Sequence, residues 1–359
     1  MSRAQLTSTV EQNTGGAVSP YVAGKNALIN GAFDYWQRGT SGFTTGGSYN
    51  ADRWKFYQDG TGVTATITQQ ALTAGSIVGV DSPYCFQWSV TVAGSGATTN
   101  QVYQLVENVQ TFAGQTVVLS FYAKSDATRT PVTPYIYQNF GSGGSLSAAG
   151  TVTATGSNPA NLTTSWQRFS YTVALPSITG KTVGTSSYLE VAIKFPINTT
   201  QVTQVAGVQL EVGSVPTQFS RAGGTLSGEL TACQRYYEHN YPSGYFPGSN
   251  YGSVNPHEQG MFIVQVPVTG SAAVTRGRGA PMPFAVNKRT TPTMRIWDSA
   301  GNQNKYLGAD GQGSFLSNNN ALDIYGGSSP TIKFANIQTV AASTTHIYCA
   351  FFWEASAEL

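Results

Sequence analysis

Two short stretches near the start of the chain bring reactive side chains together. Residues 28–41 read LINGAFDYWQRGTS and residues 51–56 read ADRWKF, so an acid, an arginine and a tryptophan fall together twice. Asp34 and Asp52 are the residue type that glycoside hydrolysis needs, where one carboxyl protonates the leaving group and the other attacks or activates water. Glu107 and Glu211 are further acids, but no spacing puts any two of the four in a catalytic arrangement. The simpler reading makes Asp52 beside Arg53 a structural ion pair or turn cap at a strand entry, flanked by Trp36 and Trp54 as core material.

Other chemistry is sparse. His239, His257 and His346 stand apart, and HNYPSGYF and NPHEQG lack the spacing that puts two ligands on one face, so neither a metal centre nor a catalytic base is expected. GxSxG, GxxxxGKS and the dinucleotide fingerprint are missing. Flat rings can stack on the apolar faces of sugars while amides pair with hydroxyls. TPYIYQNF supplies Tyr135 and Tyr137 with Gln138 and Asn139, and HNYPSGYFPGSNYGS supplies Tyr241, Tyr245 and Tyr251 in loop-like sequence. Such rings also cover core edges and subunit interfaces. As a glycan site, the 241–251 cluster is the better candidate. A basic run holds Arg276, Arg278, Lys288, Arg289 and Arg295; Pro and Gly between the charges suit a solvated loop.

The elements that must position these groups are strands. Alternation with period two places Tyr84, Phe86, Trp88, Val90 and Val92 on one face, then Val117, Leu119 and Phe121, then Phe169, Tyr171, Val173 and Leu175. Leu189, Val191, Ile193 and Phe195 repeat the pattern, and Val208, Leu210 and Val212 close it. Turn-rich runs such as GSGGS separate these strands and no long amphipathic helix intervenes. Each strand then has one apolar face to hide and no crossover helix to hide it, which predicts antiparallel sheets packed as a sandwich. After the Gly- and Ser-rich residues 223–228, Leu230, Cys233 and Tyr237 fall at helical spacing, and strands resume at Phe262, Val264, Val266 and Val268, at Ile332 and Phe334, and at Ile347, Cys349, Phe351 and Trp353. The expected fold is therefore all-β. An extended N-terminal arm (1–27) precedes a sandwich (28–222), a linker (223–228) and a second, smaller β domain with one short helix (229–359).

Composition agrees. Only 10% of the 359 residues are charged, against about 25% in ordinary domains, so uncharged polar residues must keep the surface wet. A formal charge of +2 gives no field that would draw nucleic acid, and no apolar run is long enough for membrane insertion. The three cysteines are odd in number and far apart, which suits buried thiols made in a reducing cytosol rather than a disulfide or zinc framework. No cofactor is expected. Structural calcium held by Asp34 and Glu211 near the ends of the sandwich has only the oxygen chemistry of those acids behind it.

Several stretches in order carry a resemblance. LINGAFDYWQRGTS with YNADRW, then TSWQRFSYTVALP and VAGVQLEVGSVPTQFSR, resemble a module of tailed-bacteriophage tail-fibre and minor tail proteins, itself similar to carbohydrate-binding jelly rolls; GELTACQRYYE and FFWEASAEL resemble the small domain that follows it. The resemblance implies a jelly-roll-like sandwich and a non-enzymatic place in the virion, with the arm docked on another virion protein. It also implies that the protein is a homotrimer and that its partner is a bacterial surface glycan. It transfers no catalytic residue, and it makes Trp36, Arg38, Asp52 and Trp54 a cluster that locks the first strands together. Two alternatives stay open: a capsid decoration, collar or head-fibre protein, and a glycan-degrading tail enzyme.

Overall fold

The computed structural model describes residues 24–359 except 131, 156–160, 252–259, 268–283, 305, 311–314 and 319–345. They fall into two compact units. One comprises the residues up to Asp34, Phe43–Ser48 and Trp54–Leu230; the other comprises Tyr35–Gly42, Tyr49–Arg53 and Thr231–Leu359.

The first unit holds β1 (Trp54–Gln58), β2 (Thr64–Ala71), β3 (Tyr84–Val92), β4 (Asn100–Glu107), β5 (Thr116–Ser125), β6 (Thr133–Asn139), β7 (Gly150–Thr153), β8 (Gln167–Ala174), β9 (Tyr188–Lys194) and β10 (Gln201–Val212). They form two five-stranded sheets of order β1-β4-β9-β6-β7 and β2-β3-β10-β5-β8, with antiparallel pairings throughout. This is a jelly-roll-like sandwich. Its core holds much of the set the alternation picks out, with Phe169, Tyr171 and Val173 of β8 and Leu189, Val191 and Ile193 of β9 all buried; Tyr84, Val92 and Val212, at strand ends, are exposed instead. Rings join the layers, with Phe56 of β1 meeting Trp88 of β3 edge-on at 5.5 Å.

The LINGAF stretch plugs this sandwich. Asn26 is buried and donates to the carbonyls of Val208 and Ser220 while its oxygen accepts from Leu28 and Leu210, so its amide is fully used. Gly31 lies so close to β10 that a Cβ there would stand 2.1 Å from the Val208 oxygen, which admits only glycine. Phe33 then packs against Trp54 at 5.1 Å and Phe86 at 5.4 Å, one from each sheet. β10 carries a bulge between Ala206 and Gln209, where Gly207 takes φ of +58°. Residues 24–27 do not continue the expected arm: Gly24 donates to Ala222 and Ala27 to Leu210, which ties them into the sandwich. The remainder of the arm, residues 1–23, lies outside the described residues.

The expected short helix is α1 (Leu226–Gln234); it begins inside the expected linker and stops before Tyr237, which lies in a strand. Thr225 caps it, its hydroxyl accepting the Gly228 amide at 3.1 Å, and the Glu229 carboxylate takes the amides of Asn30 and Gly223.

The second unit has β11 (Tyr237–His239), β12 (Phe262–Pro267), β13 (Thr293–Trp297), β14 (Tyr306–Asp310), β15 (Phe315–Asn318) and β16 (His346–Ser356). The long strand β16 is the hub. Its later residues pair with β11 and β13, its earlier ones with β12 and β14. A one-faced strand was expected at Phe351 and Trp353, yet Phe352 is fully buried as well, because Tyr241 stacks on it at 4.3 Å from the other side. Val268, Ile332 and Phe334 lie outside the described residues. Residues 35–42 and 49–53, expected within the sandwich span, belong to this unit.

Candidate functional site

The outer face of the sheet β1-β4-β9-β6-β7 gathers the polar chemistry of the first unit. Register fixes which residues share it. Tyr135 of β6 lies opposite Ala192 of β9 and Thr153 of β7; Tyr137 lies opposite Glu190 and Thr151. On the other side Ala192 faces Tyr103 of β4, which faces Lys55 of β1, and Gln101 faces Tyr57. Tyr57, Tyr103, Tyr135, Tyr137 and Tyr188 thus stand on one surface, because residues two apart in a strand point the same way. Tyr57 is 43% exposed, Tyr135, Tyr137 and Tyr188 are half-buried, and Tyr103 is buried.

A groove of about 430 Å³ opens there between Thr133, Tyr135, Tyr137, Thr151, Glu190 and Lys194. Its polar centre is preset. The Tyr135 hydroxyl donates to Glu190 Oε1 at 2.6 Å and lies 3.0 Å from the Gln101 amide oxygen, and Gln101 Nε2 donates to the same carboxylate oxygen at 3.2 Å. Burial, and then the adjacent Glu190, push the Tyr135 phenol well above its ordinary range, so it stays a donor. Burial likewise pushes Tyr103 up to about 12. The Lys194 ammonium stands 5.1 Å over the Tyr135 ring and Lys55 stands 5.8 Å over that of Tyr103. Flat rings, one carboxylate, hydroxyls and ammonium groups on a rigid sheet can stack on and hydrogen-bond a sugar chain. Tyr135 and Tyr137 are legible in TPYIYQNF; Tyr57, Tyr103 and Glu190 were not singled out, because only register brings them onto this face.

The other loop tyrosines are placed differently. Tyr241 is buried in a cluster with Met261, Trp297, Ala350 and Phe352, and its hydroxyl accepts the Gly248 amide. Its ring is therefore closed to a ligand, which corrects its place among the glycan candidates. Tyr251 packs on Phe352 and on Tyr245, the ring centroids 4.2 Å apart in the latter case, and only Tyr245, 38% exposed, presents a face.

The cluster expected from the opening motifs is split. Trp54 is core in the sandwich, its indole donating to the Asn30 carbonyl at 2.9 Å. Trp36, Arg38 and Asp52 belong to the second unit. There the Arg38 guanidinium lies 3.5 Å from the Tyr237 ring centre, bonds Glu358 at 3.1 Å and stands 3.8 Å from Asp52. Arg53 lies over the Tyr236 ring and is ion-paired with Glu358. One carboxylate thus joins a buried arginine, Arg53, and a half-buried one, Arg38. Asp52 accepts the Gln37 amide and side chain, and burial, opposed by Arg38, raises it to about 6. These residues hold the ends of the second unit together instead of locking the first strands of the sandwich.

The remaining acids are engaged. Asp34 accepts Arg221 at 2.8 Å, and Glu211 accepts the Thr217 amide and hydroxyl. The carboxylates weighed for calcium are thus bonded to protein groups. Among the described residues no three His, Cys, Asp or Glu side chains gather as metal ligands, and no helix is long and apolar enough to cross a membrane. Lys288 pairs with Glu238, Arg289 donates to the carbonyls of Ala357 and Glu358, and Arg295 meets Glu354. His257, Arg276 and Arg278 lie outside the described residues. Cys85 and Cys233 are buried thiols, and burial pushes the Cys85 thiol up to about 12. A larger cleft of about 530 Å³ runs along Ile77, Val78, Val80 and Phe219, but its arginine, Arg221, is already held by Asp34 and Asp81.

No family model matches the chain and no curated protein matches it. Among solved structures, the enzymatically active domain of tailspike protein 4 from bacteriophage CBA120 is similar at 16% identity and a TM-score of 0.34, covering 55% of this chain and 22% of its own. The chain thus matches about a fifth of that tailspike fragment. A family 4 carbohydrate-binding module is similar at 18% identity and TM-score 0.31, covering 51% of this chain and 98% of its own. The xylan-binding CBM22-1 domain of Paenibacillus barcinonensis Xyn10C is similar at 16% identity and TM-score 0.29, covering 54% and 98% respectively.

Proposed function

We propose that this protein is a non-enzymatic component of a tailed-phage virion, a tail fibre or minor tail protein, whose sandwich binds a glycan of the bacterial surface on the tyrosine-bearing sheet. The carrying observation is the groove in which Tyr135, held by Glu190 and Gln101, stands beside Tyr137 on one rigid face. The virion half of the reading draws on the ordered run of motifs from LINGAF to FFWEASAEL. In this reading the residues before Gly24 dock on another virion protein and the assembly is a trimer.

The test is binding of the full chain to host envelope polysaccharide, followed in an affinity gel. Replacing Tyr135 and Tyr137 by Ala together is expected to weaken binding by about tenfold or more, as truncating a paired aromatic anchor does. Unchanged binding by a folded double variant removes this face as the site. Immunogold labelling of particles tests location: label at fibre or tail tips supports attachment, and label over the capsid or collar supports a decorating role instead.

A further inference from the structure

The charges in the groove are not matched to each other. Glu190 is satisfied by neutral donors, the Tyr135 hydroxyl and the Gln101 amide, both on the same oxygen. Lys194, on the same strand and the same face, has no carboxylate partner among the described residues; its contact is the Tyr135 ring. Three residues of strand lie between the two, and both meet Tyr135, the carboxylate through its hydroxyl and the ammonium over its ring.

We infer that the glycan this face takes is acidic, with a sugar carboxylate seated at Lys194 above Tyr135 and sugar hydroxyls donating to Glu190. The small Ala192 between them leaves the strand between the two charges without a large side chain. Thr133, Thr151 and Thr153 line the same groove and supply neutral hydroxyls along it. The inference rests on the proposed glycan reading of this face and adds the class of sugar.

The probe pair is polygalacturonate and its fully methyl-esterified form, which share a backbone and differ in charge. Binding of the full chain is measured by titration calorimetry at about 50 mM and about 500 mM salt, bracketing strong screening. The acidic polymer is expected to bind about two- to fivefold more tightly, the size of one partly exposed ion pair. The preference should shrink at high salt, vanish in Lys194→Ala and persist in Lys194→Arg. Equal binding of the two polymers, insensitive to salt and to Lys194→Ala, overturns the acid preference and leaves the glycan reading standing. Failure of a folded protein to bind either polymer counts against both.

Discussion

Asp52 and His239 titrate in opposite senses within the second unit. The Asp52 carboxyl is raised by burial from 3.8 to about 6, so between those values the folded state binds more protons and stability falls as pH rises. His239 is lowered by burial from 6.5 to about 4, and its Nδ1 accepts the Tyr241 amide, so the ring is held neutral; over that window stability falls as pH drops. The two slopes oppose each other between about 4 and 6. Asp52→Asn should therefore steepen the loss of stability on acidification, while His239→Gln should make the protein gain stability from pH 6 to 4, both followed by urea denaturation. Slopes identical to the parent in both variants would refute the assignment. At this scale the sequence was readable only in part. Tyr135 and Tyr137 stand out in a strand-like run, whereas Tyr241 looks like a display residue because nothing local reveals that Phe352 covers it. Asp52 and Arg53 do not pair with each other as expected: Asp52 meets Gln37 and Arg38, and the partner of Arg53 is Glu358, 305 residues away in sequence.

Strands with clean alternation, such as β8 and β9, could be read directly, since one face is apolar and the other polar. β4 was not read. Its inward face includes Gln104, whose amide oxygen accepts Ile29 and whose nitrogen donates back to the Ile29 carbonyl, so a buried polar residue breaks the pattern it helps to build. The bulge in β10 is equally silent until its partners are known. The entry strand gives a sharp test. In Gly31→Ala the new methyl would collide with the Val208 carbonyl, and overpacking against backbone of this kind costs about 1–3 kcal/mol or more. The melting temperature should fall by several degrees, while the neighbouring Ala27→Gly should be far milder. Equal effects would mean that the plug is looser than its geometry implies.

At the scale of the molecule, fold class followed from strand periodicity, low charge and the scarcity of helix signals. The partition of the chain did not. A boundary at 223–228 comes within a few residues of Leu230, yet the second unit also needs Tyr35–Gly42 and Tyr49–Arg53. A fragment of residues 231–359 lacks Arg38 and Arg53, leaving the Glu358 carboxylate without both cations. It is expected to show no cooperative thermal transition by circular dichroism; a fragment melting as sharply as the whole chain would show that those segments are dispensable.

The same arrangement sets a clock on synthesis. Arg38 and Arg53 leave the ribosome long before Glu358, about 305 residues after Arg53, is made. At about 5–20 residues per second, the nascent chain keeps these two arginines waiting for roughly 15 to 60 seconds. Over that interval they remain hydrated and solubilise a chain that has few other charges.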